Sequence, residues 1–205
     1  MPGGEERTGA QNVIPAPPEG YARPYRLGQS WLLLSVAGVV LGLGAVAAGL
    51  SLSPWFPASG SESSLTSRLA VLILGGGVVA TVLSHELVHG LAYRFYGYEV
   101  SYSADALRGT FTTAAPGQFH TRREAIRIAL APLLLLTPLA LALVVAPVLE
   151  LSLFGLVVLV VNCSGSVADL HLGWRLRSLP GESLLCDGDA TYVYEPLARR
   201  PTERK

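Results

Sequence analysis

Between Trp31 and Leu52 the chain carries no charged side chain. An apolar run of more than about 18 residues is long enough to cross the ~30 Å hydrocarbon layer of a bilayer as a helix. Three further segments, 69–93, 125–146 and 149–172, share its texture. The clustering accounts for the composition: 50% of the 205 residues are hydrophobic and 15% charged, against about 25% charged in an average soluble domain. The formal net charge is zero and there is no basic block, so the electrostatic footprint of a nucleic-acid binder is missing. Cys163 in an apolar run and Cys186 in a polar stretch cannot build a disulfide framework and are expected as reduced thiols.

The connecting segments read differently. Residues 1–29 hold Pro2, Pro15, Pro17, Pro18 and Pro24 with several charges and no periodicity, which predicts a flexible N-terminal segment. Residues 53–67 have the proline, glycine and serine content of a loop. In 97–123, Tyr98, Val100 and Tyr102 alternate with polar residues and Gly109–Thr113 forms a second extended piece, the pattern of a β-hairpin. Pro147 and Glu150 mark a tight turn, and 176–205 is a polar C-terminal tail with room for one short strand in 186–196. The expected fold is an all-α integral membrane protein, with four transmembrane helices in a domain of residues 30–175 and a small cytoplasmic β-hairpin insert between helices 2 and 3. Pro132 and Pro138 lie inside the third span. Prolines are tolerated there when neighbouring helices satisfy the carbonyls they free, so they predict kinks rather than a break in the span.

Basic residues give the orientation. With four spans, Arg7, Arg23, Arg26, Arg94, Arg108, Arg122, Arg123, Arg127, Arg175, Arg177, Arg199, Arg200, Arg204 and Lys205 fall on one side, and Arg68 alone on the other. The positive-inside rule then predicts a multi-pass protein of the cell membrane with both termini and the hairpin in the cytoplasm.

The second span interrupts its apolar run with His85-Glu86-Leu87-Val88-His89. Residues four apart share one helical face, so both imidazoles can reach a single ion while Glu86 stands one step round. Neutral imidazoles suit Zn²⁺, which lowers the pKa of a water towards ~7 so that a carboxylate can take its proton. Glu86 is the candidate base and later proton donor. Such ionisable groups are costly in a membrane unless partnered, and a metal is the partner that satisfies all three.

Catalytic zinc takes three protein ligands, so a third is required. The candidates are Asp169, His171, His120 and Glu124. Asn162, Gly165, Ser166 and Asp169 follow the spacing of one helical face and form a polar stripe in the fourth span. Asp169 and the two histidines fall towards the same end of their spans, which ranks Asp169 first and His171 as the reserve. Asn162 could donate its amide to an oxyanion or substrate strand, or make an interhelical hydrogen bond. Gly75, Gly76 and Gly77 would let helices approach closely, and Cys163 points away from the stripe.

The His85-Glu86-x-x-His89 motif in a membrane helix, the hairpin-like insert, Ala131-Pro132 opening the next span and Asn162 seven residues before Asp169 resemble the site-2 protease type of intramembrane metalloprotease. The short four-span layout with Asn162-x-x-Gly165-Ser166-x-x-Asp169 is similar, more closely, to a family of membrane zincin metallopeptidases of unknown function, over roughly residues 69–175. The resemblance implies that His85, His89 and Asp169 bind zinc, that Glu86 activates water and that Asn162 helps seat substrate. It departs from the site-2 type in having Leu170 directly after Asp169. The expected activity is zinc-dependent endopeptidase cleavage of membrane-anchored or membrane-proximal peptides through a metal-activated water. The alternative is a non-catalytic metal-binding or regulatory membrane protein using the same site.

Overall fold

The computed structural model describes residues 14–28, 30–54, 67–105, 110–188 and 190–197. The rest of the predicted N-terminal segment, most of the 53–67 loop and the end of the C-terminal tail lie outside the described residues. Helix α1 spans Trp31–Leu52 and α2 spans Ser67–Phe95. A hairpin follows, β2 (Ser101–Asp105) pairing antiparallel with β3 (Thr110–Ala114). Strand β4 (Phe119–Thr121) leads into α3 (Arg122–Val144). Helix α4 (Leu149–Gly165) runs through Ser166 into α5 (Val167–Arg177), because Ser166 N–H donates to the Asn162 carbonyl and Leu170 N–H to that of Ser166.

Among the described residues, four helices are long and apolar enough to cross a membrane: Leu32–Leu52, Arg68–Phe95, Arg122–Val144 and Leu149–Arg177. Helix α4 is central and packs against α1, α2 and α3. Outward-facing Leu32, Leu33, Val39, Val71, Leu72 and Leu134 are largely exposed, the reverse of a water-soluble surface. Of the three consecutive glycines, only Gly77 sits against another helix, where a Cβ would come within 2.9 Å of Val157; Gly75 and Gly76 face open space.

The all-α expectation is corrected by a second sheet. Strands β1 (Tyr25–Arg26), β6 (Thr191–Tyr194), β5 (Leu184–Asp187) and β4 pair antiparallel in that order. Part of the segment expected to be flexible is therefore ordered by strand pairing, and Leu27 is buried with Leu176, Leu185 and Val193. Cys186, expected in a polar stretch, is buried in this sheet, and both cysteines are free thiols. Two-residue and four-residue strands are too short to declare themselves by alternation, which is why the sequence displays the helices and hides this sheet. By connectivity all six strands gather at one end of the bundle, beyond the start of α1 and α3 and the ends of α2 and α5.

A capping box fixes the start of α3: Thr121 accepts from Glu124 N–H, and the Glu124 carboxylate accepts from Thr121 N–H at 2.8 Å. Glu124 also accepts from Tyr98 at 2.9 Å. It is thereby used in holding the hairpin's root to α3, and is no metal ligand.

Candidate metal centre

His85 and His89 lie one turn apart on α2, and their Nε2 atoms are 3.2 Å apart. From α5, Asp169 brings Oδ2 to 3.2 Å from His85 Nε2 and Oδ1 to 3.6 Å from His89 Nε2. These three are the one group of potential metal-binding side chains among the described residues. His171 points elsewhere, with its ring 6.1 Å from that of Trp174.

The far side of each imidazole is held. His89 Nδ1 lies 3.0 Å from the Ile128 carbonyl. A carbonyl can only accept, so Nδ1 carries the proton and Nε2 presents a lone pair. Ile128 is free to accept because it stands four residues before Pro132, whose nitrogen has no hydrogen to close the helical bond. His85 Nδ1 lies 3.0 Å from Asn162 Oδ1. The amide is oriented by its other end, where Nδ2 donates to Thr137 Oγ1 at 3.1 Å and to the Pro132 carbonyl at 3.4 Å. His85 Nδ1 is thus also the donor. Asn162 is fully buried behind His85, and its amide makes interhelical hydrogen bonds to α3, one of the two roles the sequence left open.

Two imidazole lone pairs and a carboxylate therefore face one point with no donor between them, and Asp169 Oδ2 is buried without a hydrogen-bond partner. Three acceptors in this arrangement repel unless a cation joins them. Tetrahedral zinc with bonds of about 2.0–2.1 Å places its ligands about 3.3 Å apart, close to the observed 3.2, 3.2 and 3.6 Å. The donor set fits a zinc-type ion.

The centre borders a cavity of about 400 Å³ lined by Glu86, His89, Asp169, Tyr93, His120 and Asp187 and walled by β3 and the β5–β6 turn. Glu86 also lines a second cavity of about 160 Å³ on the His85 and Asn162 side. Thr113 of β3 donates to the Glu86 carbonyl at 2.9 Å, pinning the hairpin to the helix at the motif itself. The sequence does not single out Tyr93 or Asp187, and it offers His120 only as a candidate third ligand, a place that Asp169 takes. Tyr93 carried a signal, since it continues the 85, 89 face by one more turn; Asp187 carried none.

The fold and site define a helical protein with four helices long and apolar enough to cross a membrane, built around a His-Glu-x-x-His helix whose histidines and Asp169 could hold a metal ion. Residues 78–184 match the family described as "Putative zincin peptidase", and the chain belongs to that family. No curated protein and no solved structure matches it.

Proposed function

We propose that the chain is a zinc-dependent membrane endopeptidase that hydrolyses membrane-anchored or membrane-proximal peptides. The observation that carries this reading is the convergence of three acceptor atoms beside Glu86 at the wall of an open cavity. His85, His89 and Asp169 would hold the ion, and Zn²⁺ there supplies Lewis acidity and a lowered pKa for water. Glu86 takes a proton from the attacking water and delivers it to the amine nitrogen as the C–N bond breaks. Asn162 and the Ile128 carbonyl keep both rings in the ligating tautomer. Strand β3 pairs only with β2 among the described residues, and its cavity side offers backbone groups to an extended substrate by strand addition. The strand-bearing end carries Arg94, Arg122, Arg123, Arg175 and Arg177, so it faces the cytoplasm in this reading, with the chain multi-pass.

The test is metal analysis joined to cleavage of a membrane-tethered reporter by purified protein. One zinc per chain is expected, lost in Asp169→Ala and kept in His171→Ala. Glu86→Gln is expected to keep zinc and abolish cleavage. Zinc binding without wild-type cleavage, or a silent Glu86→Gln, would establish the non-catalytic metal-binding alternative instead.

A further inference from the structure

The larger cavity carries, besides the metal donors, a second constellation that the hydrolytic chemistry does not use. Asp187 ends β5, and its Oδ2 accepts from the Tyr93 hydroxyl at 2.5 Å. His120 from β4 brings Nε2 to 3.7 Å from the same oxygen, too far for a hydrogen bond. The His120 ring is 2% exposed, is flanked edge-on by Tyr93 and Tyr98, and has Nδ1 without a partner. Three elements of different sequence origin thus bring a tyrosine, a histidine and a carboxylate to one side of the cavity.

The charges there do not balance. Among the described residues, the cavity is lined by the carboxylates of Glu86, Asp169 and Asp187 and by no lysine or arginine. Asp169 belongs to the metal centre and Glu86 to the reaction. Asp187 is left with neutral partners: a phenol, and an imidazole that burial holds below the ordinary histidine range against the opposing pull of Asp187 and Glu124. A half-enclosed carboxylate with no counter-charge is costly, and the cost is relieved when a cation enters beside it.

We propose that Asp187, held by Tyr93 and backed by His120, is a recognition subsite for a positively charged group of the peptide substrate, an ammonium or a guanidinium. It rests on the peptidase reading for the nature of the ligand. Asp187 lies beyond residues 78–184, so the family match does not assign it. Occupancy from a basic side chain would set the residue preference near the scissile bond. Occupancy by a chain-terminal amine would make the enzyme read the substrate's N-terminus.

Binding can be separated from turnover by using the full-length Glu86→Gln protein, zinc-loaded in detergent micelles, with fluorescent peptides capped at both ends. A single lysine is walked through the peptide and compared at each position with N-acetyl-lysine; a third set without lysine carries a free N-terminus. At one position lysine is expected to bind at least about tenfold more tightly than its acetylated form. Asp187→Asn, which can still accept from Tyr93, should remove that preference while zinc content stays at one per chain. Tyr93→Phe keeps the charge and should keep the preference. A preference seen only for the free N-terminus assigns the subsite to the α-ammonium. Equal binding of charged and neutral peptides, or a preference that survives Asp187→Asn, overturns the proposal, and the lysine comparison in the Asp187-containing protein requires no variant at that position to fold. A chain that selects lysine yet cleaves nothing with Glu86 restored would sink the peptidase reading and leave the subsite standing.

Discussion

Replacing Asn162 by leucine tests whether the metal centre is built from behind. Asn162 Oδ1 is the acceptor for His85 Nδ1 at 3.0 Å, and Asn162 itself is fully buried. Leucine has the same number and branching of side-chain heavy atoms, with bulkier methyl groups, and offers no acceptor. The imidazole then either keeps a buried, unpaired Nδ1–H, at a cost of about 1–3 kcal/mol, or moves its proton to Nε2 and loses the lone pair that points at the metal position. Either route weakens the ion's hold without touching a ligand. Loss of such an outer partner typically lowers metal affinity about 10–100-fold, or about 1.4–2.7 kcal/mol. The measurement is zinc competition against a chromogenic chelator in detergent, with circular dichroism to show that the helices persist. His171→Ala, off the site, serves as the unaffected control. A folded Asn162→Leu protein whose zinc affinity stays within about twofold of wild type refutes the orienting role, since the expected loss is at least tenfold.

Two further outcomes follow from the strand-bearing end. His120 is buried with its pKa lowered chiefly by desolvation, so the unfolded chain binds more protons than the folded one below the unfolded value of ~6.5. Stability should therefore fall as pH drops through that value towards the lower folded pKa, and His120→Gln should flatten the fall in Tm between about pH 7.5 and 5.5; an unchanged slope would place the acid sensitivity elsewhere. At Gly90 on α2, an added Cβ would collide with the Tyr102 hydroxyl of β2. Gly90→Ala should push the Tyr102 ring off the helix and raise KM for a tethered peptide with zinc content unchanged, whereas an unaltered KM would mean that this contact of the hairpin does not guide substrate.

Much of the architecture was legible because a bilayer leaves few options. Four apolar blocks became four long apolar helices, and the few ionisable residues inside them stood out through the cost of placing them there. Asp169 could be ranked above His171 by its depth in the span and its place on the Asn162 stripe; the two lie about 200° apart on a helix, so only one can face His85. The second sheet was not legible, because its members come from residues 25–26, 119–121, 184–187 and 191–194. Each strand is too short to carry a period, and what orders them is mutual pairing across more than 150 residues of chain. Asp187 was missed for the same reason, since only the pairing of β5 with β4 brings it over α2.

Pro132 shows how a feature that reads as a structural defect becomes part of the site. The sequence placed a proline inside a span and required some neighbour to satisfy the carbonyl it frees. That carbonyl is Ile128, and the neighbour is the His89 ring. The helical bond that proline removes from α3 is replaced by one that fixes the tautomer of a ligand on α2. An alanine at position 132 would regain the N–H and compete for the same carbonyl. The backbone cost of proline in α3 and the orientation of His89 are therefore one interaction seen from two helices. In a bilayer a freed carbonyl would have no water to turn to, so a membrane setting would enforce the contact that a soluble helix could forgo.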